Sequence, residues 1–171
     1  PDKNMDLQSD IEALKGFETK NDNYIKGSTV EFFLAAGKIF NKRVEESAVM
    51  YREILAKPFD FTTDEEVNLD ADKLNYTTTN AESKDRWRKK LKFMTLERYV
   101  DLVDIREKNK GKDGFVVKTD SELEKDARDR VKKIMDRTFD RFRFKFNDDD
   151  KFNLFVNALS LIHISEPTRP Y

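Results

Sequence analysis

Four groups of residues have the types and spacing that chemistry uses. Asp60, Asp64, Glu65, Glu66 and Asp70 place five acids in eleven residues. Paired carboxylates do acid–base work when burial raises one of them; in a polar stretch they are ordinarily solvated. Asp148, Asp149 and Asp150 suggest part of a cation loop. Such a loop needs acids at alternating positions, a central Gly and a terminal Glu, none of which follows, and three acids in a row suit the positive start of a helix better. Residues 137–146 (RTFDRFRFKF) mix Arg137, Arg141, Arg143 and Lys145 with four Phe, a pattern for base stacking with phosphate contacts. The other reading is a helix end with Phe in the core and cations near the negative terminus. Ser28, Ser47 and Ser83 have Lys nearby, as a Ser/Lys dyad would, but no Gly-rich turn or oxyanion nest flanks them.

Composition narrows these choices. The 171 residues contain no Cys and one His, so disulfides, Cys-ligated metals and Cys nucleophiles are excluded, and a Ser/His/Asp triad has little room. No cofactor is implied. Lys and Arg number 33 against 34 Asp and Glu; a net charge of −1 argues against nucleic-acid binding driven by phosphate attraction. No apolar run approaches the length of a membrane span. Charged residues reach 39%, yet 14 Phe and one Trp are too many for a disordered chain. Residues 1–7 lack an initiator Met and a basic-plus-apolar leader, which leaves a mature, a trimmed and a partial chain all open.

The C-terminal texture differs. Residues 159–169 (LSLIHISEPTR) match, position by position, the in-frame translation of a transposase-type sequencing adapter. Residues 159–171 are therefore expected to be a non-native tail, with the natural protein continuing past Ala158. On that reading His163 is not native, and the remaining residues 1–158 have neither His nor Cys.

The elements that must position these groups are helices. Ser9-Asp10-Ile11-Glu12 has the capping-box form, and Ile11, Leu14 and Phe17 follow at helical spacing up to Gly27. Ser28-Thr29-Val30-Glu31 opens a second helix whose face is Phe32, Phe33, Ala36, Ile39, Phe40, Val44, Ala48, Tyr51 and Leu55, stopped by Pro58. Two capping boxes separated by Gly predict an α-hairpin. Residues 57–70 (KPFDFTTDEEVNLD) alternate Phe59 and Phe61, then Val67 and Leu69, and read as extended chain or a short strand; residues 73–79 continue as loop. Asn80 or Ser83 caps a third helix to about Lys108, with Trp87, Leu91, Met94, Leu96, Val100 and Val103 on its face. Trp87 reads as a core anchor, or as an aromatic at a domain contact. A Gly/Lys/Asp loop at 109–114 and a brief extended piece at Val116-Val117 lead to the capping box Thr119-Asp120-Ser121-Glu122. The helix behind it carries Leu123, Ala127, Val131, Ile134, Met135, Thr138 and Phe142 to about Phe146; a fifth begins near Asp148 with Phe152, Leu154, Phe155 and Val156. The expected fold is all-α, a helical hairpin plus further long helices, with one extended crossover around residues 57–79.

KPFDFTTDEEVNLD resembles the Lys-Pro-Phe/Met-Asp-Phe-Thr … Leu-Asp stretch in the N-terminal domain of tail-specific proteases, the bacterial carboxy-terminal processing serine peptidases. LQSDIEAL (7–14), IFNKRVEE (39–46), DRWRKKLKFMTL (85–96) and DDDKFNLFVNA (148–158) resemble further family segments in the same order. The motif residues are Pro58, Asp60, Phe61, Leu69, Asp70, Trp87, Lys92 and Leu96, all structural. Two departures stand out: Leu74-Asn75-Tyr76 occupies the place of the family's Ala-Pro-Trp, and the loop from Asn109 to Phe115 is longer.

The resemblance implies a helical N-terminal domain, residues 1–158, of a periplasmic serine endopeptidase that trims or degrades proteins from their C-terminal tails. In the family this domain precedes a PDZ domain and a protease domain with a Ser/Lys pair, so no catalytic residue carries over to this chain. Its implied partners are those downstream domains and protein substrates or an adaptor. The competing reading is a stand-alone helical interaction module.

Overall fold

The computed structural model describes residues 7–16, 27–70 and 73–145. They form four α-helices: α1 (Gln8–Lys15), α2 (Gly27–Leu55), α3 (Asn80–Asn109) and α4 (Asp120–Lys145). Among the described residues there is no β-strand, only an isolated parallel bridge between Leu7 and Thr77. The fold is all-α. The expected fifth helix and residues 159–171 lie outside the described residues.

The ends of the helices follow local chemistry, though not always at the expected residue. At α4 the capping box forms as read: the Thr119 hydroxyl accepts the Glu122 N–H at 3.3 Å, and the Glu122 carboxylate accepts the Thr119 N–H at 2.8 Å. At α3 the cap is Thr79, which accepts the Glu82 N–H at 3.1 Å. Ser83, read as a candidate cap, is instead buried one turn inside the helix. At α1 the cap position is Leu7, whose N–H is taken by the Asp10 carboxylate at 2.9 Å, so Ser9 is already helical. The helix ends at Lys15 rather than running to Gly27, which is the first residue of α2. The Ser28–Glu31 capping box lies outside the described side chains.

Helices α2, α3 and α4 pack around one core. In α4 a strict four-residue series, Leu123, Ala127, Val131, Met135 and Phe139, is buried. Val44, Ala48, Tyr51, Ile54 and Leu55 of α2 and Trp87 and Leu91 of α3 meet the lower part of that series. Burying one such side chain contributes about 1.5–3 kcal/mol. Phe139 sits among aromatic neighbours, with ring centroids 4.9 Å from Tyr51, 6.1 Å from Trp87 and 5.8 Å from Phe142. Leu102, Leu123 and Ala127 make a second, smaller cluster, flanked by Tyr99 and Val103.

The face of α3 differs from the expected one. Thr95 is fully buried, Leu96 is half-buried and Val100 is exposed. The series Ser83, Trp87, Leu91, Thr95 steps by four and so stays on one side of the helix. Thr95 tolerates the core because its hydroxyl donates to the Leu91 carbonyl at 2.8 Å. Ile134 of α4, also expected inside, is exposed beside the buried Met135.

Candidate functional site

The crossover that leaves α2 at Lys57 is held on both sides. Pro58 ends the helix and has no N–H to offer. The next N–H, of Phe59, donates to Glu124 of α4 at 3.0 Å. Glu124 is buried and paired with Arg128, whose guanidinium also donates to the Leu55 carbonyl at 2.8 Å. One ion pair on α4 thus satisfies the last turn of α2 and the first residue after the proline.

Next, Asp60 closes a small turn on itself, accepting the Thr62 N–H at 2.9 Å and the Thr62 and Thr63 hydroxyls at 2.6 and 3.2 Å. These bonds, from Thr62 first, hold its carboxyl below the ordinary range. Phe59 and Phe61 alternate as extended chain should. Phe59 packs on the main core, and Phe61 stacks on Tyr99 of α3 at 5.3 Å.

The far side of the strap is Lys92. Its ammonium, on a side chain only 11% exposed, donates to the Thr63 carbonyl at 2.9 Å and to Glu65 at 2.7 Å. Arg88, one turn earlier, makes a two-pronged contact with Glu65 and is itself steadied by Asp85 at 2.8 Å. The hydrogen bonds from Arg88, then Lys92, hold the Glu65 carboxyl down to about 2. Between the C-terminus of α2, the strap and α3 lies an open groove of 690 Å³, floored by Ile54, Pro58 and Phe59 and rimmed by Lys84, Arg88 and Lys92.

The eight motif residues divide into three places. Pro58, Asp60 and Lys92 line this groove, with Phe61 beside them on Tyr99. Trp87 is buried in the core, with Lys90 over its ring at 5.5 Å, and Leu96 is half-buried on α3. Leu69 and Asp70 are exposed further along the crossover, Asp70 pairing with Lys73 at 3.2 Å. Four residues that carry the strap were not singled out: Arg88, Glu124, Arg128 and Thr63. The pairs Arg88/Lys92 and Glu124/Arg128 are each four apart, which places them on one helix face. That spacing does not say which backbone carbonyl they reach.

The other candidate chemistries take structural roles where they are described. In 137–146, Phe139 and Phe142 are packed in the bundle, and Arg143 pairs with Glu45 through two bonds of 2.8 Å. Ser47 and Ser83 are buried on α2 and α3. Asp148–Asp150 and His163 lie outside the described residues. Among the described residues no group of three acids, His or Cys is placed to hold a metal, and no helix is long and apolar enough to cross a membrane.

Fold and site together define a helical bundle module whose crossover is strapped to two helices by ion pairs. The chain belongs to the tail-specific protease N-terminal domain family, whose model matches residues 1–163. Comparison with curated proteins and with solved structures gives no match.

Proposed function

We propose that this chain is the non-catalytic scaffold and interaction domain of a periplasmic serine endopeptidase that acts on proteins from their C-terminal tails. Its own downstream PDZ and protease domains are its first partners, and it holds protein substrates or an adaptor beside them. Membership of the tail-specific protease N-terminal domain family supports the protease context.

Glu65 carries the non-catalytic reading. A general acid or base works best with a pKa near the operating pH. Glu65, the best-placed carboxylate of the acidic crossover, is held at about 2 by Arg88 and Lys92 and serves as an anchor. Downstream, a PDZ domain would take the substrate's free C-terminus by strand addition, and a Ser activated by a Lys base would form the acyl-enzyme.

Incubating the 171-residue chain with a reporter protein ending in an unstructured apolar tail should give no cleavage above buffer. Turnover abolished by a serine-directed inhibitor overturns the non-catalytic reading. Sequencing the natural gene past the Ala158 codon tests the rest: PDZ and Ser/Lys-protease segments support it, whereas an early stop codon favours the stand-alone interaction module.

A further inference from the structure

We infer that residues 115–119, between α3 and α4, form a docking edge at which a partner protein adds an extended peptide strand flanked by acidic residues.

The segment is exposed, apolar and held at both ends. Val116 and Val117 are 79% and 49% exposed, the first being the most exposed large apolar side chain among the described residues. Gly111 and Gly114, at φ +87° and +74°, turn the chain back toward α3 in a conformation that other residues rarely adopt. The Phe115 N–H then donates to the Lys112 carbonyl at 3.1 Å. At the other end Arg106 donates to the Lys118 carbonyl at 3.1 Å, and Glu122 takes the Thr119 N–H.

Between these anchors the N–H groups of Val116, Val117 and Lys118 have no hydrogen-bond partner among the described residues. β-Branched residues with a free main-chain edge are what strand addition uses, with alternate side chains reading the two flanks. The flanks differ here. Val116 borders a hollow of 180 Å³ with Ile105 and Leu123, whereas Val117 borders a second one rimmed by Arg106, Lys110 and Lys118.

Charge selects the occupant. Residues 106–118 hold five cations and two acids in a chain of net charge −1. Arg130, at the rim of the apolar hollow, is exposed and makes no ion pair with described residues. An anionic membrane would also meet these cations, but three bare N–H groups are costly in lipid and are satisfied by a strand. A strand site here is independent of whether a protease body follows, so its failure leaves the scaffold reading untouched.

The test uses the full 171-residue chain and a short synthetic peptide alternating Val and Thr, with Glu at both ends. Its controls are the same peptide ending in Lys, and phosphatidylglycerol vesicles. The amide signals of Val116, Val117 and Lys118 should shift with the Glu peptide, which should bind about tenfold tighter than the Lys peptide. Val117→Pro, which removes one N–H, should abolish the shifts. Arg130→Glu, at an exposed position, should weaken the Glu peptide about fivefold with circular dichroism unchanged. Shifts absent or centred elsewhere, equal binding of both peptides, or a response to vesicles but not to peptide would each overturn the strand site.

Discussion

Lys92 on α3 and Glu65 in the crossover stand 2.7 Å apart, 27 residues apart in sequence. The contact matters because Lys92 also holds the Thr63 carbonyl. A single buried ammonium thus fixes both the backbone and a side chain of a segment that has no helix or sheet ladder of its own.

Replacing Lys92 should loosen the strap more than the core. Lys92→Ala removes a packed stem and leaves the Thr63 carbonyl without its donor. A loss of about 1–2 kcal/mol follows. Thermal melting should show a drop of roughly 2–8 °C, with hydrogen exchange rising first between residues 59 and 65. A uniform rise across α2, α3 and α4 instead would mean that Lys92 supports the bundle itself.

The strap should weaken in acid. The Glu65 pKa is about 2 in the folded chain against an ordinary 4.5. A depressed carboxyl contributes stability that is fully present above its unfolded value and lost as pH falls through the folded one. The window therefore runs from about 4.5 down to about 2. Melting wild type and Glu65→Gln at several pH values should show the variant less sensitive in that window. Equal sensitivity would assign the acid loss to other carboxylates.

Arg43 should govern the docking of α1. Its guanidinium reaches Asp10 through bonds of 2.7 and 2.9 Å, with both side chains largely buried. Burial pushes the Asp10 carboxyl up, but the bonds from Arg43 and from the Leu7 N–H together outweigh it and leave it lowered. Beyond this pair, α1 itself has no buried residue. Arg43→Ala should speed exchange of the α1 amides by roughly 10–100-fold, as expected for losing a charged hydrogen-bonded partner. Arg43→Lys should recover only part of it, since an ammonium cannot make the two-pronged contact.

Tyr51 should be the last tyrosine to ionise. Burial first, and then its hydrogen bond to Asp136 at 2.7 Å, push its phenol up to about 12. A raised phenol pKa means that stability is present below the unfolded value near 10 and fades as pH rises toward 12. Ultraviolet titration should show one tyrosine delayed beyond the others. Tyr51→Phe should remove that step at a cost of about 0.5–1.5 kcal/mol; a titration unchanged by the substitution would assign the late step elsewhere.

Much of this fold is legible along the chain. Thr119 and Glu122 cap α4 where a capping box is read, Pro58 stops α2, and the series from Leu123 through Ala127 and Val131 lines the core. These features depend on neighbours within a turn or two, so local spacing suffices. The misreadings share the opposite cause. Ser83 and Thr95 look like cap or surface residues and Val100 like core, yet packing decides which side of a long helix is covered. Thr95 meets its polar need within its own helix, and Val100 falls off the four-residue stripe.

The strap shows the same division. Helix type, caps, the break at Pro58 and the alternation of Phe59 with Phe61 are set by the sequence alone, because each arises from backbone sterics and nearest neighbours. That Lys92 meets Thr63 and Glu65, that Arg128 reaches the Leu55 carbonyl and that Glu124 takes the Phe59 N–H were decided by tertiary structure. A long cation can pair with any of 34 acids. Only the packing of three helices brings one carboxylate and one bare carbonyl within its reach.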